Sequence, residues 1–123
     1  MPQFLVTARD GTDPGAPERR LAVRPEHFRQ LGPMLERGEM VVGGAMLDED
    51  GTMVGSACIV EFPDRAALDA WLAVEPYVTG EVWRSIEVTP FRVAVQRETP
   101  QGVPEPGGSV PPLPGQEPAA EAG

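Results

Sequence analysis

The sequence predicts an α+β domain built on one four-stranded antiparallel sheet, and three observations carry that prediction. Apolar runs of strand type alternate with two helical stretches in the order strand, helix, strand, strand, helix, strand. The turn sequence Asp48-Glu49-Asp50-Gly51 joins the middle two runs as a hairpin. The composition then changes abruptly near Thr99, which ends the part able to fold.

The elements follow in chain order. Phe4, Leu5, Val6 and Thr7 form a β-rich run that ends at Arg9-Asp10-Gly11, so the first strand is expected over residues 3–9, with loop from Gly11 to Pro17. A first helix is expected from Pro25, suited to a first turn, to Arg37. Phe28, Leu31 and Leu35 fall on its apolar face, and Gly38 ends it. Gly32-Pro33 predicts a kink there, or two short helices, because proline removes a helical hydrogen bond and clashes with the preceding turn. Met40–Leu47 and Met53–Phe62 are the hairpin strands. Asp64 is suited to cap a second helix with the stripe Leu68, Trp71 and Leu72, which Glu75-Pro76 stops. Trp83–Val95 is the fourth strand, with Pro90 marking a bulge or an edge.

A chain of 123 residues, 41% hydrophobic, suits one modest core, placed here in residues 1–98. Residues 99–123 hold seven Pro, five Gly and three Glu without an aromatic, a mixture expected to stay disordered; Val110–Pro114 is its one Pro-rich ligand candidate. The net charge is −9 and all ten basic residues are Arg, a usage that reads as genome composition and not as a phosphate-binding code. An acidic chain gains no counterion release from polyanions, so nucleic acid and anionic membranes are disfavoured partners. The start of the sequence lacks the pattern of a signal peptide, and the longest apolar run, Met40–Leu47, is far short of a membrane span. A cytoplasmic protein is expected.

In the third strand one face carries Val54, Ser56, Cys58, Val60 and Phe62, and the other Met53, Gly55, Ala57 and Ile59. Both are largely apolar, and two helices cover only one face of such a sheet. A homodimer packed sheet on sheet is the expected solution, the alternative being a segment of the chain folded over the open side.

Cys58, the single cysteine, sits in an apolar run and is expected to be a buried hydrophobe. His27, the single histidine, is the natural proton-transfer residue, since histidine is the one residue type whose unperturbed pKa lies near neutrality; a surface histidine is the ordinary alternative. Asp10, at the end of the first strand, either orients His27 or makes an Asx-turn with Gly11. Arg19, Arg20 and Arg24 form a basic cluster, either a solvated face or a clamp for a carboxylate. No metal-ligand spacing is present, and Gly43-Gly44 lies within a strand and not in a phosphate loop, so no metal or cofactor is expected.

Four stretches, Arg20 to Phe28, Gly55 to Phe62, Glu75 to Val78 and Thr89 to Phe91, stand in an order and at separations that resemble the YCII-related (YciI-like) family across residues 3–95. The resemblance implies ferredoxin-like βαββαβ protomers paired into a dimeric α/β-barrel, with a pocket holding a His/Asp pair. By position these are His27 and Asp10, with Arg20, Ser56 and Tyr77 as pocket neighbours. The usual Asp-Pro-Tyr of the family is Glu75-Pro76-Tyr77 here, and a glycine usual after that motif is Glu81, with Gly80 one position early. The expected function is a cofactor-independent lyase or isomerase in which His27, oriented by Asp10, moves a proton on a small organic acid held by Arg20 or Arg24. The alternative is a non-catalytic small-molecule-binding or regulatory dimer.

Overall fold

The structure, a computed structural model, describes residues 1–97. Residues Met1–Arg92 form one unit in the order β1 (Gln3–Asp10), α1 (Ala16–Arg37), β2 (Met40–Leu47), β3 (Met53–Glu61), α2 (Arg65–Val74), α3 (Pro76–Thr79) and β4 (Trp83–Phe91). The strands pair antiparallel in the order β2-β3-β1-β4. This is the expected α+β ferredoxin-like fold. The expected tail, residues 99–123, lies outside the described residues.

The signals for hairpin and caps act as read. Asp48 accepts hydrogen bonds from the backbone N–H groups of Asp50 and Thr52, closing the β2–β3 turn. Asp64 accepts from the Ala67 N–H at 2.9 Å, satisfying one of the donors left over at the start of α2. Gly38 takes the left-handed conformation that ends α1, with its N–H on the Leu35 carbonyl.

Two boundaries differ from expectation by more than one residue. Helix α1 starts at Ala16, nine residues before Pro25, and runs unbroken through both Pro25 and Pro33. Pro17, Glu18 and the good helix formers Arg19 to Ala22 supply that earlier start. The carbonyls that the two prolines leave without a helical partner belong to Leu21 and Arg29, both exposed residues. Strand β4 ends at Phe91 and not at Val95, because its last partner on β1 is Gln3. Pro90 sits at the end of this edge strand, where its missing N–H breaks no ladder.

The helices cover one face of the sheet. Phe4, Val6, Val60, Phe62, Leu68 and Trp71 join Met34 and Met40 in the main core, and Ala8, Tyr77, Val82 and Trp83 form a second cluster. Each fully buried apolar side chain contributes about 1.5–3 kcal/mol relative to exposure. The opposite face carries Leu5, Thr7, Ala57 and Ile59, with Val42 and Phe91 still 55% and 40% exposed. A register shift places Asp10 opposite Trp83 while Arg9 is opposite Ser85, so β4 has one extra residue, Arg84, at this point.

The inward stripe of α1 is not the one the apolar spacing predicts. Phe28 and Leu35 are 48% and 57% exposed, while Ala16, Arg20 and Met34 are buried. The stripe is turned because two inward positions are occupied by polar residues, Arg20 and His27.

Candidate active site

Between α1 and the β2–β3 half of the sheet lies a cavity of about 510 Å³. Arg20, Arg24, His27, Ser56, Tyr77 and Trp83 give it a polar end, and Leu31, Met40, Cys58 and Trp71 contribute apolar wall.

Asp10 and His27 do not meet. Asp10 is buried at the end of β1, and both its carboxylate oxygens accept from Arg20 Nη1 at 3.0 Å. Arg20, on the second turn of α1, has a side chain only 4% exposed and uses its other terminal nitrogen, Nη2, to donate to Ser56 Oγ at 2.8 Å. Trp83 Nε1 donates to the same oxygen at 3.1 Å. Neither the Asx-turn nor the His-orienting role of Asp10 survives, because a buried guanidinium claims the carboxylate first.

The partner of His27 is Glu75. Its carboxylate lies 2.8 Å and 3.1 Å from His27 Nδ1 and also accepts from the Tyr77 N–H at 2.7 Å. Glu75 has no solvent exposure, and it caps α3. A carboxylate is an acceptor, so Nδ1 carries the hydrogen and the lone pair or proton of Nε2 is left on the opposite side of the ring. The imidazole is stacked on the Tyr77 ring at a centroid distance of 3.9 Å. The Arg20 guanidinium lies 4.7 Å from the centre of that ring. Burial pushes the Tyr77 phenol above its ordinary pKa, with the Glu75 and Asp10 carboxylates acting in the same direction, so the hydroxyl stays protonated at neutral pH.

The three arginines of the basic cluster separate. Arg19 is held by Asp13, and that guanidinium lowers the Asp13 carboxyl to about 2. Arg20 is consumed in the buried network. Arg24, exposed at the cavity and lying 4.7 Å over the Phe28 ring, forms no ion pair among the described residues and is the cation available to an incoming anion. Among the described residues no group of three or more His, Cys, Asp or Glu side chains is placed to hold a metal. No helix among them is long and apolar enough to cross a membrane.

Of the residues expected from the sequence, the structure brings Arg20, Arg24, His27, Ser56 and Tyr77 to one cavity and puts Asp10 behind it. Glu75 and Trp83 are the residues the sequence reading missed. Glu75 was visible as a helix stop and as the acid of Glu75-Pro76-Tyr77; its distance of 48 residues from His27 hid the pairing.

The sequence matches the YCII-related domain over residues 3–92. The chain belongs to the YCII-related family. It is 32% identical over 95 residues to Protein YciI of Escherichia coli O6:H1, covering 72% of this chain and 95% of that protein. An uncharacterized protein of Haemophilus influenzae matches at the same identity and coverage. Among solved structures, the YCII-related fold of this chain is similar to 5-chloro-2-hydroxyhydroquinone dehydrochlorinase from Burkholderia phenoliruptrix AC1100 in complex with 2,5-dihydroxybenzoquinone. The TM-score is 0.63 at 22% identity, over 73% of this chain and 93% of that one. In this YCII-related chain the acid that meets the histidine is a glutamate, whose extra methylene reaches His27 while its other oxygen holds the backbone of α3.

Proposed function

We propose that the chain is a cofactor-independent lyase or isomerase in which His27 transfers a proton on a small, planar organic acid, and that it works as a homodimer. One observation carries this reading: His27 Nδ1 is tied at 2.8 Å to a fully buried carboxylate, in a side chain that is itself only 12% exposed and lines the cavity. A buried carboxylate on Nδ1 fixes the ring and the tautomer, leaving the Nε2 lone pair to accept a proton, as a general base requires. Arg24 supplies attraction for the acid, and the apolar wall supplies a surface for a flat ring. The role assigned to Asp10 is structural: it neutralises and holds Arg20.

The dehydrochlorinase with a related fold acts on a ring bearing acidic hydroxyls, which supports hydroxylated quinones and hydroquinones as the first compounds to try. The open sheet face with Val42 and Phe91 supports pairing through that face.

The test is a thermal-shift screen of hydroxylated and chlorinated hydroquinones, 2,5-dihydroxybenzoquinone included, followed by turnover assays on the compounds that stabilise the fold. His27→Ala is expected to lower turnover by about 10²–10⁴-fold with ligand affinity little changed. A His27→Ala protein that keeps the wild-type rate rules out this mechanism. Stabilising ligands with no turnover in the wild type would favour the binding-module reading.

A further inference from the structure

We infer that Ser56 is an oxyanion-binding donor: its hydroxyl hydrogen is forced toward the cavity by two neighbours that donate to its oxygen, so the site takes substrates that carry or develop a negative oxygen on the ring next to the proton removed by His27. The inference rests on the proposed reading of His27 and adds the substrate feature that this site selects.

A serine hydroxyl has one hydrogen to give and two lone pairs to accept with. Both lone pairs of Ser56 are engaged, by Arg20 Nη2 at 2.8 Å and by Trp83 Nε1 at 3.1 Å. Guanidinium and indole nitrogens are donors only, so neither receives the serine hydrogen. Among the described residues no other acceptor meets Ser56, whose residue is 8% exposed and lines the cavity. The hydrogen is therefore left for whatever the cavity holds. Accepting from a cation also polarises the hydroxyl and makes it a stronger donor than a serine free to rotate.

The rest of the cavity agrees in sign. Asp10 is occupied by Arg20, and Glu75 by His27 and the Tyr77 N–H; neither carboxylate lines the cavity. Arg24, Ser56 and Tyr77 present donors, and His27 Nε2 is the base. When Nε2 takes a proton from carbon beside a carbonyl, the C–H pair becomes the new C=C bond and the carbonyl π pair settles on oxygen. That oxygen is then negative, and a fixed O–H is the preorganised partner it needs. Trp83 and Arg20 are positioning residues for Ser56, and Asp10 positions Arg20.

The probe is 4-nitrophenol, a ring with one ionisable oxygen whose absorbance reports its charge. Bound to the wild-type protein, it is expected to ionise at a pH lower by about one unit than in solution, a tenfold preference for the anion. Ser56→Ala is expected to remove that shift, and Trp83→Phe, which frees one lone pair and lets the hydroxyl turn, to reduce it. His27→Gln is expected to keep it, which separates this subsite from the proton-transfer role: loss of turnover with the shift intact leaves both readings standing. Near-UV circular dichroism checks folding; should Ser56→Ala not fold, an unchanged shift in Trp83→Phe overturns the inference. So does a shift that survives in folded Ser56→Ala but vanishes in His27→Gln or Arg24→Gln, since the anion's partner is then one of those cations. A nitrophenol that does not bind at millimolar concentration, or binds without a shift, overturns it as well.

Discussion

Asp10 and Arg20 show how a charged pair is tolerated in the interior. Their side chains are 3% and 4% exposed, and the guanidinium is matched by both carboxylate oxygens and by Ser56. Breaking such a pair leaves one buried charge uncompensated, which costs about 3–5 kcal/mol. Asp10→Asn is therefore expected to lower the unfolding free energy by that amount, whereas Asp13→Asn, on the exposed Arg19 pair, is expected to change it little. Equilibrium unfolding of both variants checks the contrast. Cys58 gives a pH prediction at the same scale. Burial raises its thiol from 9.0 to about 12, so the unfolded chain loses this proton first as pH rises. The stability linked to Cys58 is complete below 9.0 and is lost as pH climbs toward about 12. The burial of Tyr77 adds a loss of the same sign. Cys58→Ala is expected to flatten the alkaline fall in unfolding free energy without abolishing it, as measured by denaturation across that range.

Among the elements, the turn from α3 into β4 carries the clearest local conflict. Glu81 has a φ of 61°, in the left-handed region that L-residues other than glycine enter at a cost of about 1–2 kcal/mol, while Gly80 before it has a φ of −90°. Gly80 is required for another reason: a Cβ there would sit 2.9 Å from both the Pro76 carbonyl oxygen and Val23 Cγ2. Glu81→Gly is expected to raise stability by about 1 kcal/mol, and Gly80→Ala to lower it, read as shifts in melting temperature. The sequence had shown a glycine displaced by one position at this turn. The hairpin and the start of α2 were equally legible, because Asp48 and Asp64 act on backbone within four residues of themselves. The start of α1 was not. Pro25 looked like a first-turn proline, and only packing against the sheet keeps a helix running through it. The inward face of α1 was misread for a related reason: apolar spacing locates grease, and here the site places Arg20 and His27 where grease is expected.

At the scale of the whole molecule, the site's residues were legible one by one and their pairings were not. His27, Arg20, Ser56 and Tyr77 stood out as chemistry or as motif, but their partners are set by topology. The order β2-β3-β1-β4 puts β1 between β3 and β4, so Asp10, Ser56 and Trp83 converge on one end of the sheet from three strands. The far side of that sheet leads to a prediction about assembly. A chain of 13.2 kDa is expected to sediment at twice its mass. Ile59→Glu, a charge in the middle of the face opposite the helices, is expected to halve that mass by forcing an unpaired carboxylate into the contact. Analytical ultracentrifugation of the two proteins decides it.

The extra residue in β4 has a reach beyond its strand. Side chains alternate sides along an extended chain, so Trp83 and Ser85, two apart, belong on one side; Arg84 is the inserted step that breaks this parity and swings the indole under the helices. Without the bulge, Arg84 would stand opposite Asp10 and the indole would turn outward, stripping Ser56 of a donor with no residue of the cavity replaced. The polar network at the cavity thus hangs on a counting irregularity in the backbone as much as on the identity of its side chains.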